Sequence, residues 1–359
     1  MLRLLPILLI FALSPAAVAQ DAEQTEAFNE AWNAYVEARD SGDAPRTVET
    51  AGAVYEKAKA IFPADDDRLP LLADNYGHAL LNAGESRQAQ DVLKEAVDLS
   101  KAIHGEQSPE VLPILMSYAD SQAAIRNSGR QEKVYKDALA IADSNFGSNS
   151  AEYASVAFRA GVRMLERSSS IDGLSYLEEA YAIYSGLEGG DSQSAGLAAF
   201  YAGKIEFGRR RHKQATDHFL AALDGLEGDA QYEGYVRAYL VKAYENRGMS
   251  DEATEHCIAI GALTPVDPDQ DYLPLFRMAP KYPGDLLARR REGYVEFEFT
   301  VDEYGIVRDP VVIDRKGGRG FESEAHAAVE RFRYAPRFED GEPVPVDGVK
   351  TRITFQIER

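Results

Sequence analysis

Two rhythms divide the chain. From Glu23 to about Ala262, apolar residues, chiefly alanine, leucine and tyrosine, recur at helical spacing. After that the period shortens to two. Gly293 to Val301 places Val295, Phe297, Phe299 and Val301 on one face and Glu296 and Glu298 on the other, which predicts a half-buried strand. Asp302-Glu303-Tyr304-Gly305 predicts a turn, with Gly305 free to take positive φ, and Ile306 to Ile313 the returning strand. A short charged helix, Gly284 to Arg291, precedes this pair; a second, Phe321 to Phe332, follows the break at Gly317-Gly318. Gly341 marks a further turn. The final strand, Val349 to Ile357, sends Val349, Thr351, Ile353, Phe355 and Ile357 inward and Lys350, Arg352, Thr354 and Gln356 outward. Pro310 removes a ladder donor from the second strand, so that strand is expected to be an edge or to carry a bulge.

The helical part repeats. Turn markers at Gly42, Gly84, Gly129, Ser169, Arg209 and Gly248 fall about 40 residues apart, and a fixed long period is the mark of a solenoid. Small residues recur inside the units: Gly77, Ala89 and Ala96; Gly161, Gly173 and Ala180; Gly203, Ala215 and Ala222. They allow two antiparallel helices to approach closely, with Leu80, Leu93, Leu177 and Phe219 filling the gaps. Gln122, Val134 and Ile141 break the rule in the unit around Gly129. The pattern resembles the tetratricopeptide repeat, with a period above the usual 34 residues. Five helical hairpins are expected, and a sixth over Glu23 to Phe62. Such arrays present a groove to proteins or peptides. Tyr181, Tyr184, Tyr201, Tyr235, Tyr239 and Tyr244 either line it or pack between hairpins.

The tail resembles the C-terminal domain of TonB-family proteins. The features that carry this are Tyr282-Pro283 before the first helix and the run Gly293-x-Val295-x-Phe297-x-Phe299-x-Val301. They continue with the helix ending Arg331-Phe332-Arg333-Tyr334-Ala335-Pro336, then Gly341-Glu342-Pro343-Val344 and a terminal strand. The resemblance implies a small α+β domain with helices on one face of a three-stranded sheet. It further implies an exposed last strand that accepts an extended peptide from an outer-membrane receptor by β-augmentation. The expected peptide-binding edge is Lys350, Thr351, Arg352, Ile353, Thr354, Phe355, Gln356 and Ile357. An open edge can also pair with its own copy, which leaves homodimerisation in play.

The fold class expected is thus multidomain: an all-α helical-hairpin solenoid followed by a small α+β domain. Residues 1–19 read as a cleavable signal peptide, with Arg3, the apolar run Leu4 to Leu13 and Ala17-Val18-Ala19 before Gln20. Residues 20–263 are the repeats, 264–280 a polar, proline-containing linker and 281–359 the terminal domain. A periplasmic location follows, or inner-membrane anchoring if the leader stays attached. In that second case the chain is an anchored energy transducer for outer-membrane transport.

Charge and chemistry narrow the picture. The chain carries a net charge of −20. Residues 277–359 hold 15 basic and 16 acidic side chains, so nearly all of the excess lies in the helical part. That argues against nucleic acid as a ligand. The lone Cys257 forms no intramolecular disulfide. The six histidines show no H-E-x-x-H spacing, and neither a nucleophile elbow nor a phosphate loop is present. No catalytic residue, cofactor or metal is expected; the partners expected are proteins.

Overall fold

The computed structural model describes residues 22–125, 128–165, 171–187, 189–263 and 272–357. The leader at 1–19, the turn marker Ser169 and linker residues 264–271 lie outside the described residues. The chain divides into two compact units, residues 1–163 and 164–359.

The first unit is helical: α1 (Ala22–Ser41), α2 (Ala44–Ile61), α3 (Arg68–Asn82), α4 (Ser86–His104), α5 (Leu112–Ala124), α6 (Ser128–Phe146) and α7 (Ala151–Leu165), which runs to the border. Helices α1 and α2, α3 and α4, and α5 and α6 pack as successive hairpins. Gly42 and Gly84 turn the first two with positive φ, as the markers predict, whereas Gly129 lies in the first turn of α6. The Asp43 side chain caps α2 by accepting from the Arg46 N–H (3.1 Å). A Cβ on Gly77 would meet Leu93 at 2.4 Å, so the small residue is what admits the neighbouring helix. The residues that broke the rule, Gln122, Val134 and Ile141, are buried at the corresponding positions.

A buried carboxylate ties three helices of this unit together. Asp120 accepts from the Tyr135 hydroxyl, from Arg159 Nη2 (2.8 Å) and from Arg163 Nε (3.0 Å). Burial, reinforced by Asp120, pushes the Tyr135 phenol far above its ordinary range. Both repeat neighbours meet one charge, which makes this a knot in the array.

The second unit begins with α8 (Ile171–Gly186), α9 (Ser192–Gly208), α10 (His212–Gly225), α11 (Ala230–Arg247) and α12 (Ser250–Leu263). Asp191 and Asp229 cap α9 and α11, and Gly248 ends α11 in the left-handed conformation. A Cβ on Gly203 would meet the Phe219 ring at 2.6 Å. Of the six tyrosines, Tyr184 and Tyr244 are buried and Tyr239 sits among Phe200, Phe207 and Phe219, so packing claims them; Tyr235 is 54% exposed.

The terminal domain follows in the same unit: α13 (Gly284–Ala288), β1 (Gly293–Val301), β2 (Val307–Lys316), α14 (Arg319–Val329), β3 (Arg337–Glu339), β4 (Glu342–Val344) and β5 (Val346–Phe355). The three-stranded antiparallel sheet has the order β2-β1-β5. Its inner face buries Val295, Phe297, Phe299 and Val301 with Val349, Ile353 and Phe355 against Phe321, Val329 and Phe332. Each such side chain contributes about 1.5–3 kcal/mol by leaving water. The helices α13 and α14 run shorter than the hydrophobic pattern suggested, and β5 begins three residues earlier. The hairpin β3–β4, turning at Asp340 and Gly341 with positive φ, is an addition to the expected elements.

Asp302 builds the β1–β2 turn. Its carboxylate accepts from the N–H of Tyr304 (3.0 Å) and Ile306 (2.9 Å) and from Arg308 Nε (2.7 Å). Gly305 takes φ 77°, and a Cβ there would lie 2.1 Å from the Tyr334 carbonyl oxygen, so glycine is required twice over.

Candidate peptide-docking edge

The three-stranded sheet has two outer strands, and the sequence has built them differently. On β2, register shifts opposite β1 place extra residues at Ile313 and at Asp309-Pro310. Asp309 has φ 50°. Pro310 therefore sits where its missing N–H costs no ladder bond, as its position in the sequence required. On β5 the shift is confined to the base, at Asp347-Gly348 opposite Thr300, where Asp347 accepts from the Thr300 hydroxyl (2.6 Å). From Val349 to Phe355 the register with β1 runs without interruption.

Backbone direction along β5 follows from β1. The Asp302 N–H donates to the Ile306 carbonyl (2.9 Å), which turns the even-numbered backbone groups of β1 toward β2. The odd-numbered groups consequently face β5, where their register partners are Val349, Thr351, Ile353 and Phe355. The N–H of Ile357, donating to Glu292 Oε1 (3.0 Å), continues that phase. The N–H and C=O groups of Lys350, Arg352 and Thr354 thus point away from β1. Among the described residues no strand pairs with them.

The same three residues carry their side chains on the solvent face. Lys350 Nζ lies 3.2 Å from Glu298 Oε2, and Arg352 Nη2 lies 3.0 Å from Glu296 Oε2. The Arg352 guanidinium also covers the Tyr294 ring at 4.4 Å, and its hydrogen bond to Glu296 raises its pKa further. Lys350 is 59% exposed and Arg352 54%. Thr351, Ile353 and Phe355 are buried, as the alternation predicted, and Ile357 is half-buried just past the strand.

A strap formed by residues 272–282 flanks the inner side of β5. Arg277 Nη2 donates to Thr351 Oγ1 (2.7 Å) and its guanidinium lies over the Phe332 ring; the Tyr282 ring meets Phe355 edge-on. The strap also joins the sheet to α11 and α12. Phe276 is buried with Val236, Leu240 and Cys257, while its backbone exchanges hydrogen bonds with Arg333. Arg333 Nε lies 2.7 Å from Glu245 Oε1 and Arg331 Nη2 3.6 Å from its other oxygen, with the Glu245 side chain fully buried. Gly261 of α12 has no room for a Cβ, which would fall 2.3 Å from the Pro336 carbonyl oxygen. Burial, with Glu245 adding and Arg333 opposing, pushes the Cys257 thiol up to about 12, so it stays protonated and inert.

Sequence reasoning did not single out Glu245 or Arg277, and gave Arg333 only as one residue of the Arg331-to-Pro336 motif. One signal for Glu245 was present: it stands beside Tyr244 on a helix face that also carries Val241, where an isolated carboxylate must find a cation. Among the described residues no helix is long and apolar enough to cross a membrane, and no three His, Cys, Asp or Glu side chains converge as metal ligands.

Comparison with known proteins finds one family match and several distant structural neighbours. Residues 278–357 match the family model of the Gram-negative bacterial TonB protein C-terminal. Protein TonB of Pseudomonas aeruginosa is 33% identical over 91 residues, covering 25% of this chain and 26% of that protein. The chain therefore spans about a quarter of the length of this curated relative. Among solved structures, BtubC (BKLC) from P. vanneervenii aligns with a TM-score of 0.48 at 16% identity, covering 70% of this chain and 96% of that one. A kinesin light chain protein of Podosopora anserina with nearly identical TPR-like repeats aligns with a TM-score of 0.46 at 14% identity, covering 55% of this chain and 95% of that one.

Proposed function

We propose that the chain is a non-enzymatic adaptor of the bacterial envelope. Its helical hairpins hold a protein partner, and the edge of β5 accepts an extended peptide, such as a segment of an outer-membrane receptor, by strand addition. The observation that carries this reading is the uninterrupted register of Val349 to Phe355 on a strand whose outer backbone groups have no partner strand among the described residues. Unpaired N–H and C=O groups in such a row supply affinity through main-chain bonds, while flanking side chains supply selectivity. The match of residues 278–357 to the TonB C-terminal family supports a receptor segment as the occupant.

The test is a comparison of two full-length chains, wild type and Thr354→Pro, in capture from an envelope extract. The Thr354 N–H faces away from β1, so proline there removes an edge donor and leaves the β1–β5 ladder intact. Loss of outer-membrane receptors from the captured set supports the reading; an unchanged set eliminates the edge. Export with loss of residues 1–19 is part of the proposal, and the intact mass of the protein recovered from the periplasm checks it.

A further inference from the structure

The solvent face of the sheet is arranged in columns of charge. On β1 the outward positions Glu296 and Glu298 are acidic; on β5 their cross-strand partners Arg352 and Lys350 are basic. A strand added beyond β5 would set its outward side chains directly beside Lys350 and Arg352, because those residues carry the open backbone groups. Cross-strand neighbours of opposite charge stabilise a sheet and like charges opposite one another destabilise it.

Two consequences follow for the occupant. A second copy of this chain, pairing β5 antiparallel to β5, would bring one copy's Lys350 and Arg352 against the same basic column in the other. The edge is open, yet its charge opposes self-pairing. A peptide with acidic residues at alternate positions instead extends the column order from negative, positive to negative, positive, negative. On the opposite face its intervening side chains would lie beside the buried row of Thr351, Ile353 and Phe355, which favours apolar residues there.

We infer that the β5 edge selects extended peptides that alternate acidic and apolar residues, and that its basic column excludes a second copy of this chain. The inference rests on the strand-addition reading above and adds the class of ligand to it.

The test uses the full chain and three synthetic nine-residue peptides with valine at odd positions and glutamate, threonine or lysine at even positions. Binding is followed by fluorescence anisotropy at low ionic strength and again in high salt. The glutamate peptide is expected to bind about tenfold more tightly than the lysine peptide, with the threonine peptide between them and the spread shrinking in high salt. The double variant Lys350→Gln, Arg352→Gln should lose most of that preference while keeping the wild-type circular dichroism spectrum. If all three peptides bind equally, and Thr354→Pro still abolishes their binding, the edge is used and the charge inference is overturned. If none binds, strand addition itself fails and the inference falls with it. Sedimentation velocity supplies the second arm: self-association of the wild type that Thr354→Pro abolishes would overturn the exclusion of a second copy.

Discussion

The two edges of one small sheet show how a strand is closed or left available. β2 and β5 flank the same central strand, expose similar lengths and face the same solvent. β2 carries two register shifts, a residue at positive φ and Pro310; β5 is irregular only at its base. The β2 side also exposes Val311 (61%) and Ile313 (46%), apolar residues that an open regular edge would turn into an aggregation site. The irregularities take the backbone out of register there, so the exposed valine and isoleucine are harmless. Where backbone is open, charge stands guard; where apolar side chains are exposed, backbone geometry does.

The largest effect expected from breaking this contrast is proline on each edge. Thr354→Pro should weaken binding of an edge peptide by about 100-fold or more, since it removes a donor and blocks pairing on either side of it. Arg315→Pro, at a β2 position whose N–H faces away from β1 and donates to Asp314 Oδ1, should leave that affinity within about twofold, as measured by anisotropy; comparable losses from both would abolish the distinction between the edges. Next comes Glu245→Ala, which touches neither edge but leaves Arg333 buried without its partner. It is expected to lower stability by about 3–5 kcal/mol in denaturant titration. Peptide affinity at native conditions should be unchanged, which separates support of the sheet from use of its edge.

Acid should act in the same way, more weakly. Burial, with Arg237 adding to it, holds the His256 imidazole down at about 4. In the folded chain His256 is therefore neutral, whereas the unfolded chain takes up a proton below about pH 6.5. Its contribution to stability is fully present above that pH and is lost as pH falls toward 4, about 2 kcal/mol by pH 5. His256→Gln should flatten this part of the stability profile, followed by thermal melts between pH 7 and 5. The smallest effect belongs to Val311→Lys, expected to change stability by less than about 0.5 kcal/mol and peptide binding not at all.

Much of this was legible in the sequence because the period was clean. The β1 and β5 alternations named the buried face residue by residue, and Pro310 alone announced an irregular outer strand. The helical hairpins showed through small residues such as Gly77 and Gly203, whose meaning depends only on close approach. Other features were hidden for physical reasons. β3 and β4 are three residues each, too short for an alternation to show on either side of the turn that Gly341 marks. The extra residues in β2 could not be placed, because a register shift is a property of two strands and not of one. Glu245 and Arg333 lie far apart along the chain, and no local pattern joins a carboxylate in a helix to a guanidinium after another. Phe276 follows the linker in the sequence, and only packing shows which core it enters.

That residue sets how the second unit melts. Phe276 fills space among the helices while its main chain is bonded to Arg333 of the terminal domain, so neither side can unfold without losing part of the other's core. The cooperative unit in heat or urea is accordingly wider than the segment bounded by sequence motifs. Residues from α8 to β5 should give a single coincident transition whether helix or sheet signals are watched. A helical fragment ending just before Phe276 would strand an apolar socket on α11 and α12 and begin life with exposed hydrophobic surface. The natural seam for dissecting this protein lies just past α7, beside the border of its two compact units, and leaves plug and socket in one piece.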